Sequence, residues 1–419
     1  MRILVIGRGG REHTIVWALR KNPKAEHIFC APGNAGIAQL AELVPIGELE
    51  FDKLVQFAKD KAIDLVVVGP DDPLAAGIVD AFEAASIPVY GPNKAAAEIE
   101  GSKIFMKNLL KKYDIPTAKY ETFTDYAAAR DYLASQPVPI VVKADGLAAG
   151  KGVTVCFTRE EAEQALKDTM VDKSFGAAGD KVVIEEFLSG QEMSILAFVD
   201  GETVRAMPAA QDHKPAYDGD KGPNTGGMGT YSPLPHIPQS IIDDAIENIV
   251  KPTARAMVSE GRPFRGVLFG GLMITEDGPK TIEFNARFGD PETQVVLPRL
   301  KSDLLEIILA SLEGRLGDIE IEWSNEAAVC VVLASGGYPG SYPKGLPISG
   351  LEAASEGLVF HAGTAEQDGR IVTAGGRVLG IVGLGGGIAE ARAAAYRTAD
   401  QITFEGKQNR TDIAAKALV

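Results

Sequence analysis

Short, continuously apolar runs alternate with stretches of helical periodicity through the first hundred residues, and few folds accommodate that alternation. Residues 3–6 form an apolar run, and 12–21 follow with helical spacing through Ile15, Val16 and Leu19. Residues 27–30 read as a second strand, 51–61 as a helix, and 64–68 as a third strand closed by Gly-Pro. A helix over 75–85 and a short fourth strand over 88–90 complete the pattern. Strands apolar on both faces belong in a parallel sheet covered on each side by helices. The spacing therefore predicts an open, doubly wound α/β domain over residues 1–101.

From Ser102 the texture changes. A Lys-rich amphipathic helix over 104–113 stops at Asp114-Ile115-Pro116, because proline disfavours helix in the residue before it. A strand ending at Lys143, a glycine-rich segment over 145–152 and a strand over 153–157 follow. Next come a helix over 159–167 and strands over 182–188 and 194–199. Residues 211–232 hold five glycines and two prolines, too many breakers for a core element, and a long loop inside a compact domain is usually functional. A helix over 241–259 and strands over 266–275 and 281–285 close a central domain spanning 102–325. The last part, 326–419, is β-rich, with strands at 328–334, 358–361, 371–373 and 378–384 before an Ala-rich helix over 388–402.

Charge and composition narrow the partners. Forty-two Lys and Arg face fifty-seven Asp and Glu, a net charge of −15 that repels a polyphosphate backbone and argues against nucleic acid. No stretch approaches 18 consecutive apolar residues, so no membrane span is expected. The opening apolar run is too short for a secretory leader. Cys30, Cys156 and Cys330 lie far apart in strand-like runs without CxxC spacing. They read as buried thiols in a reducing compartment, which points to the cytoplasm.

Three segments could carry chemistry. Gly7-Arg8-Gly9-Gly10-Arg11-Glu12 follows the first strand, but a dinucleotide fingerprint needs glycine where Glu12 stands, and no acid ends the second strand. A small phosphate or carboxylate could still sit at this helix start beside Arg11, or the glycines could serve strand–helix packing alone. The run from Lys143 through Gly146, Gly150 and Lys151 to Gly152 fails the Walker A pattern in glycine spacing and in lacking Ser or Thr at 152. It fits a glycine-rich hairpin over polyphosphate, with Lys143 and Lys151 as counter-charges. In Glu283-Phe-Asn285-Ala-Arg287-Phe-Gly289-Asp290-Pro-Glu292, strand alternation places Glu283, Asn285 and Arg287 on one face, with Ile282 largely elsewhere. Two oxygen ligands so spaced suit Mg²⁺, and Arg287 could serve a phosphoryl or carboxylate group. His213, in the glycine-rich loop, reads as a substrate contact or a bystander, and neither HExxH nor G-x-S-x-G occurs.

Taken in order, these phrases resemble the ATP-grasp ligases, and within them the glycinamide ribonucleotide synthetase family. The resemblance covers essentially the whole chain. It is carried by 5–13, 69–77, Gly101-Ser-Lys103, 143–152, 185–192, and above all by 211–218, 223–229 and 283–292. It implies an ATP-grasp α+β central domain with a mobile lid over about 117–188 and a small β-rich C-terminal domain. It also implies a monomeric enzyme that joins glycine to 5-phosphoribosylamine through a glycyl phosphate, with ATP as substrate and Mg²⁺ or Mn²⁺ as metal.

By the same resemblance, Lys103 and Lys143 contact the nucleotide phosphates under the loop bearing Gly150, Lys151 and Gly152. Glu185, Glu186, Phe187 and Leu188 form the adenine hinge, and Glu192 accepts the ribose hydroxyls. Glu283 and Asn285 hold the metal. Arg287 serves the carboxylate or the migrating phosphoryl group. Gly9, Gly10, Arg11, Glu12, Asp212 and Asp290 line the acceptor side, and Arg377 takes the ribosyl phosphate. Many ATP-grasp enzymes carry a further acid about a dozen residues before the Glu-x-Asn pair, where this chain reads Gly270-Gly-Leu-Met-Ile-Thr275. The number of metal ions stays open. Rival readings are a ligase or carboxylase of the same fold with another acid or acceptor, an NAD-dependent oxidoreductase, and a non-catalytic nucleotide-binding scaffold.

Overall fold

The computed structural model describes residues 1–148, 152–354 and 356–418. Its first sheet is wholly parallel, in the order Glu42–Leu43, His27–Pro32, Arg2–Gly7, Leu65–Val68, Val89–Tyr90. The two-residue strand Glu42–Leu43 has exposed side chains and no pattern by which sequence could reveal it. The helix expected over 75–85 is two, Asp71–Ala76 and Ile78–Ala84, meeting at Gly77. Strand order reverses beside Arg2–Gly7, so the loops after this strand and after Leu65–Val68 diverge and leave a crevice.

Two further sheets make up the middle of the chain. One is antiparallel, ordered Tyr120–Phe123, Val182–Glu186, Ile140–Ala144, Val153–Cys156. Helices Tyr126–Ser135 and Arg159–Met170 pack on it around a separate core that includes Leu133, Val142, Leu166 and Ile184. The other is ordered Thr203–Ala206, Gln191–Asp200, Arg265–Thr275, Gly278–Asn285. The helix expected over 241–259 contains a π stretch, Ile246–Val250, between Gln239–Ala245 and Lys251–Ser259. It lies directly ahead of Pro252, which has no N–H to donate.

The last sheet corrects one expectation. Residues 211–232 were expected to supply no core element, yet Gly229–Ser232 is a fully buried strand paired with Ala327–Ala334, Tyr231 opposite Val329. The order is Gln211–Asp212, Gly229–Ser232, Ala327–Ala334, Arg377–Gly385, Leu358–His361. Its prolines and the glycines other than Gly229 fall instead in and around an exposed hairpin, Pro215–Tyr217 with Lys221–Asn224. Helix Ile388–Gln401 covers the sheet through Ala391, Ala395 and Ala399. All three cysteines are buried and free, and among the described residues no helix is long and apolar enough to cross a membrane.

Candidate active site

A cavity of about 480 Å³ opens where these sheets meet, lined by strands of the three later sheets and by Arg11 and Asp71 from the helices that follow two strands of the first. Val141 pairs with Glu185 across neighbouring antiparallel strands. Side chains two apart share a face, so Lys143 and Glu185 are diagonal neighbours on the side facing the cavity. Lys143 Nζ contacts Glu185 Oε1 as a close ion pair. Lys107, one helical turn beyond Lys103 in helix Lys103–Lys112, places its Nζ 2.6 Å from Glu185 Oε2 and donates to Thr117 Oγ1 at 2.7 Å. Burial opposes charge on Glu185, but the two lysines hold its carboxyl below the usual range. Lys103 Nζ donates to the Gly146 carbonyl at 3.1 Å, beneath the glycine-rich segment. Gly152, Glu186, Phe187 and Leu188 also line the cavity, whereas Gly150 and Lys151 lie outside the described residues.

The Glu283–Arg287 segment departs from simple alternation. Gly271 pairs with Glu283 but Leu272 with Thr281, so Ile282 is the extra residue of a bulge. The bulge re-aims the strand end, and Ile282, expected to point largely elsewhere, lines the cavity beside Glu283. The strand ends at Asn285. Arg287 is held beyond it, Nη2 2.9 Å from Glu100 Oε1 and 3.3 Å from Asn285 Oδ1. Glu100 also accepts from the Ala286 N–H at 2.7 Å, fixing the turn. Burial tends to raise the Glu283 carboxyl, yet Lys214, Lys103, Lys143 and Arg287 hold it below its ordinary range. An ionised carboxylate beside an amide oxygen suits a hard divalent cation.

At the crevice of the first sheet, only Arg11 of the four expected residues lines the cavity, joined by Asp71. Glu12, expected on the acceptor side, turns inward and is 1% exposed. Its carboxylate accepts from the Gly9 N–H at 2.6 Å and from Arg11 Nε at 2.6 Å, so it caps the helix start from within, Gly9 having no side chain to do so. A Cβ at Gly7 or Gly69 would lie within 2.3 Å of Glu12 atoms, so both glycines exist to admit that carboxylate. Gly9 and Gly10 likewise lie outside the cavity wall, Gly10 against the Gln294 amide. Asp290 joins the domains. It accepts from the Arg11 N–H at 3.2 Å and from Gln294 Nε2 at 2.8 Å, while Arg377 donates to its carbonyl at 2.9 Å and to that of Gly226 at 2.8 Å. Burial opposes the Asp290 charge, and Arg377 and Arg11 keep the carboxyl low nonetheless.

Asp212, at the end of its short strand, faces the cavity with Lys214 and Glu292. Burial and then the Glu292 charge push the Asp212 carboxyl upward, and burial together with the Asp290 charge does the same to Glu292. Lys214 Nζ lies 2.8 Å from Glu192 Oε2, so the carboxylate expected to meet a ribose is engaged by a lysine. His213 is 2% exposed and points away from the cavity, a bystander to it. Sequence reading missed Lys107, Glu100, Lys214, Asp71 and Glu292 as parts of this constellation. The spacing of Lys107 from Lys103 was a usable signal, masked because a Lys-rich helix face is normally solvated.

Comparison with known proteins accords with this geometry. The sequence matches the family models for the phosphoribosylglycinamide synthetase N domain over residues 1–100, the ATP-grasp (A) domain over 101–293 and the C domain over 328–416. A phosphoribosylamine–glycine ligase of Halalkalibacterium halodurans is 54% identical over 419 residues, covering 100% of this chain and 97% of the relative. One from Caldanaerobacter subterraneus subsp. tengcongensis is 52% identical, covering 99% and 100%. The crystal structure of the Thermotoga maritima phosphoribosylamine–glycine ligase superposes with a TM-score of 0.88 at 38% identity, covering 99% and 100%. The biotin carboxylase domain of Hydrogenobacter thermophilus 2-oxoglutarate carboxylase, at 15% identity and a TM-score of 0.74 over 97% and 91%, shares the fold alone. The chain belongs to the phosphoribosylglycinamide synthetase family, with an α/β N-terminal domain, an ATP-grasp centre and a β-rich C-terminal domain.

Proposed function

We propose that this chain joins glycine to 5-phosphoribosylamine, giving glycinamide ribonucleotide with cleavage of ATP to ADP and phosphate, a step of purine biosynthesis. The observation that carries the reading is one cavity in which two lysines flanking a glycine-rich segment, a Glu-x-Asn pair and the arginines Arg11, Arg287 and Arg377 converge. A carboxylate is a poor acyl donor at neutral pH. Its oxygen therefore attacks the γ-phosphorus of ATP, ADP leaves, and the ribosylamine nitrogen attacks the acyl phosphate carbon, releasing phosphate and a proton. Positioning, charge neutralisation and exclusion of water are the protein's share.

Lys103 and Lys143 would hold the nucleotide phosphates, and the 146–152 segment would close over them. Glu185, Glu186, Phe187 and Leu188 would receive adenine, largely through backbone groups because the Glu185 carboxylate is occupied by two lysines. Glu192 would meet the ribose once Lys214 yields. Glu283 and Asn285 would hold Mg²⁺ or Mn²⁺, which when bound neutralises the phosphate oxygens being separated. Arg287 would serve the glycine carboxylate or the migrating phosphoryl. Asp212 and Asp290 would line the acceptor side, Arg377 would take the ribosyl phosphate, and Arg11 would add charge. Gly9, Gly10 and Glu12 would serve only by holding Arg11.

We take residues 1–101, 102–325 and 326–419 as the three domains, with 117–188 as a lid that opens and closes; its separate core supports that division. We take a monomer as the working unit. Three buried free thiols support a reducing compartment such as the cytoplasm.

The test is ADP formation from MgATP and glycine, with and without phosphoribosylamine generated in the assay from ribose 5-phosphate and ammonia. Turnover needing both glycine and the amine is expected. ADP release that depends on bicarbonate and ignores glycine would transfer the reading to a carboxylase of the same fold.

A further inference from the structure

The hairpin Pro215–Tyr217/Lys221–Asn224 has both feet in the cavity and its tip outside. One foot carries Asp212 and Lys214, the other Asn224, Thr225 and Gly226. The strand Lys221–Asn224 is exposed along its whole length. A two-stranded ribbon with one exposed strand is marginal by itself, so something else must fix where its feet stand.

That something is the C-terminal segment. The Arg410 side chain is 1% exposed and ties its own segment to the hairpin. Its Nε and Nη2 donate to Asp412 at 2.7 and 2.8 Å. Its Nη1 lies 3.0 Å from Asp220 Oδ1 at the hairpin tip and donates to the Pro215 carbonyl at 3.2 Å. Asp412 in turn accepts from the Gly219 N–H at 2.8 Å, the Thr411 N–H donates to Asp218 at 2.8 Å, and Lys416 reaches Asp220 at 2.6 Å. A second tie runs through His213. Its Nδ1 is 3.1 Å from the Gly229 carbonyl and must donate, which leaves Nε2 to accept from the Ala414 N–H at 3.3 Å. The imidazole thereby links the residue between Asp212 and Lys214 to the tail. A buried guanidinium with all its partners on two remote stretches of chain serves to fix one against the other.

We propose that residues 410–416 act as a positioning clasp for the acceptor half of the catalytic cavity, working through Arg410 and His213 on the strand that carries Asp212 and Lys214. The inference rests on the functional reading above, since it takes that half as the site of the ribosylamine.

The test uses the full chain and the glycine- and ribosylamine-dependent ADP assay, with Arg410→Ala, Arg410→Lys and the milder surface changes Asp220→Asn and Lys416→Ala. Arg410→Ala should raise KM for the ribosylamine by about tenfold or more, because small misplacements of a binding group are costly, while KM for ATP, which the strand touches only through the Lys214–Glu192 pair, should change several-fold less. Arg410→Lys should recover part of the loss, and Asp220→Asn should fall in the same direction. Folded variants with unchanged constants would overturn the proposal. So would a parallel rise of every KM with a lowered melting temperature, which marks a mere strut. If the parent itself shows no glycine-dependent ADP release, the functional reading fails, and the clasp is judged by hydrogen exchange. Asp220→Asn should then accelerate exchange across 213–226, and unchanged protection there sinks the clasp.

Discussion

Lys107 Nζ lies 2.6 Å from Glu185 Oε2, and neither side chain is more than 5% exposed. The carboxylate is thus shared between a lysine of the cavity wall, Lys143, and one that never reaches the cavity. Burial lowers the proton affinity of Lys107, so the pair survives on mutual attraction in a site with little water.

Lys107→Met removes one of these partners and leaves Glu185 leaning wholly on Lys143. Breaking a buried pair from one side costs about 3 kcal/mol or more, so the urea midpoint should fall and the affinity for a non-hydrolysable ATP analogue should weaken with it. An unchanged midpoint would show that the pair contributes nothing.

Glu283→Gln should keep the fold, because the carboxylate makes no ion pair among the described residues. Losing its charge from among four cations should lower kcat by on the order of 100-fold or more. Circular dichroism and steady-state kinetics with varied Mg²⁺ check this. Near-parental turnover would remove Glu283 from the metal site.

Gly227 has φ +120, and a Cβ there would meet Asp212 Oδ1 and Pro291 Cδ at 2.6 Å. Gly227→Ala should therefore push Asp212 out of place, costing about 1–3 kcal/mol of stability and most of the ligation rate. Full activity with an alanine here would mean the position of Asp212 is irrelevant to turnover.

Acid should destabilise the protein through three buried histidines. His13 is lowered to about 3, by burial first and then by His361; His213 to about 4, by burial and then Arg410; and His361 to about 4, by burial. Each folded value lies below the unfolded one, near 6.5, so the unfolded chain binds more protons between the two. Stability is complete above about pH 6.5 and is lost as pH falls toward 4, by up to about 1.4 kcal/mol per pH unit for each histidine. His13 Nδ1 accepts from the His361 N–H at 2.7 Å across two domains. His13→Asn should keep an acceptor there while flattening the slope of the denaturation midpoint between pH 4 and 6.5. An identical slope in the variant would exonerate His13.

Sequence determined the periodic parts. Continuous apolar runs such as Ile3 to Ile6 and Ala327–Ala334 are buried on both faces, so their hydrophobicity alone announces them. Ordered glycine and acid phrases reveal the chemistry because backbone approach to phosphate and ligation of a hard cation restrict residue type. Only the tertiary structure decided which groups stand free. Glu12, Lys107 and Glu100 look like any charged residue until the fold buries each against its partners, and those of Lys107 and Glu100 include residues on distant segments, Glu185 and Arg287. The bulge at Ile282 and the buried strand Gly229–Ser232 were illegible for a related reason. Their register is set by the strands they pair with, and pairing between distant segments leaves no local period in the chain.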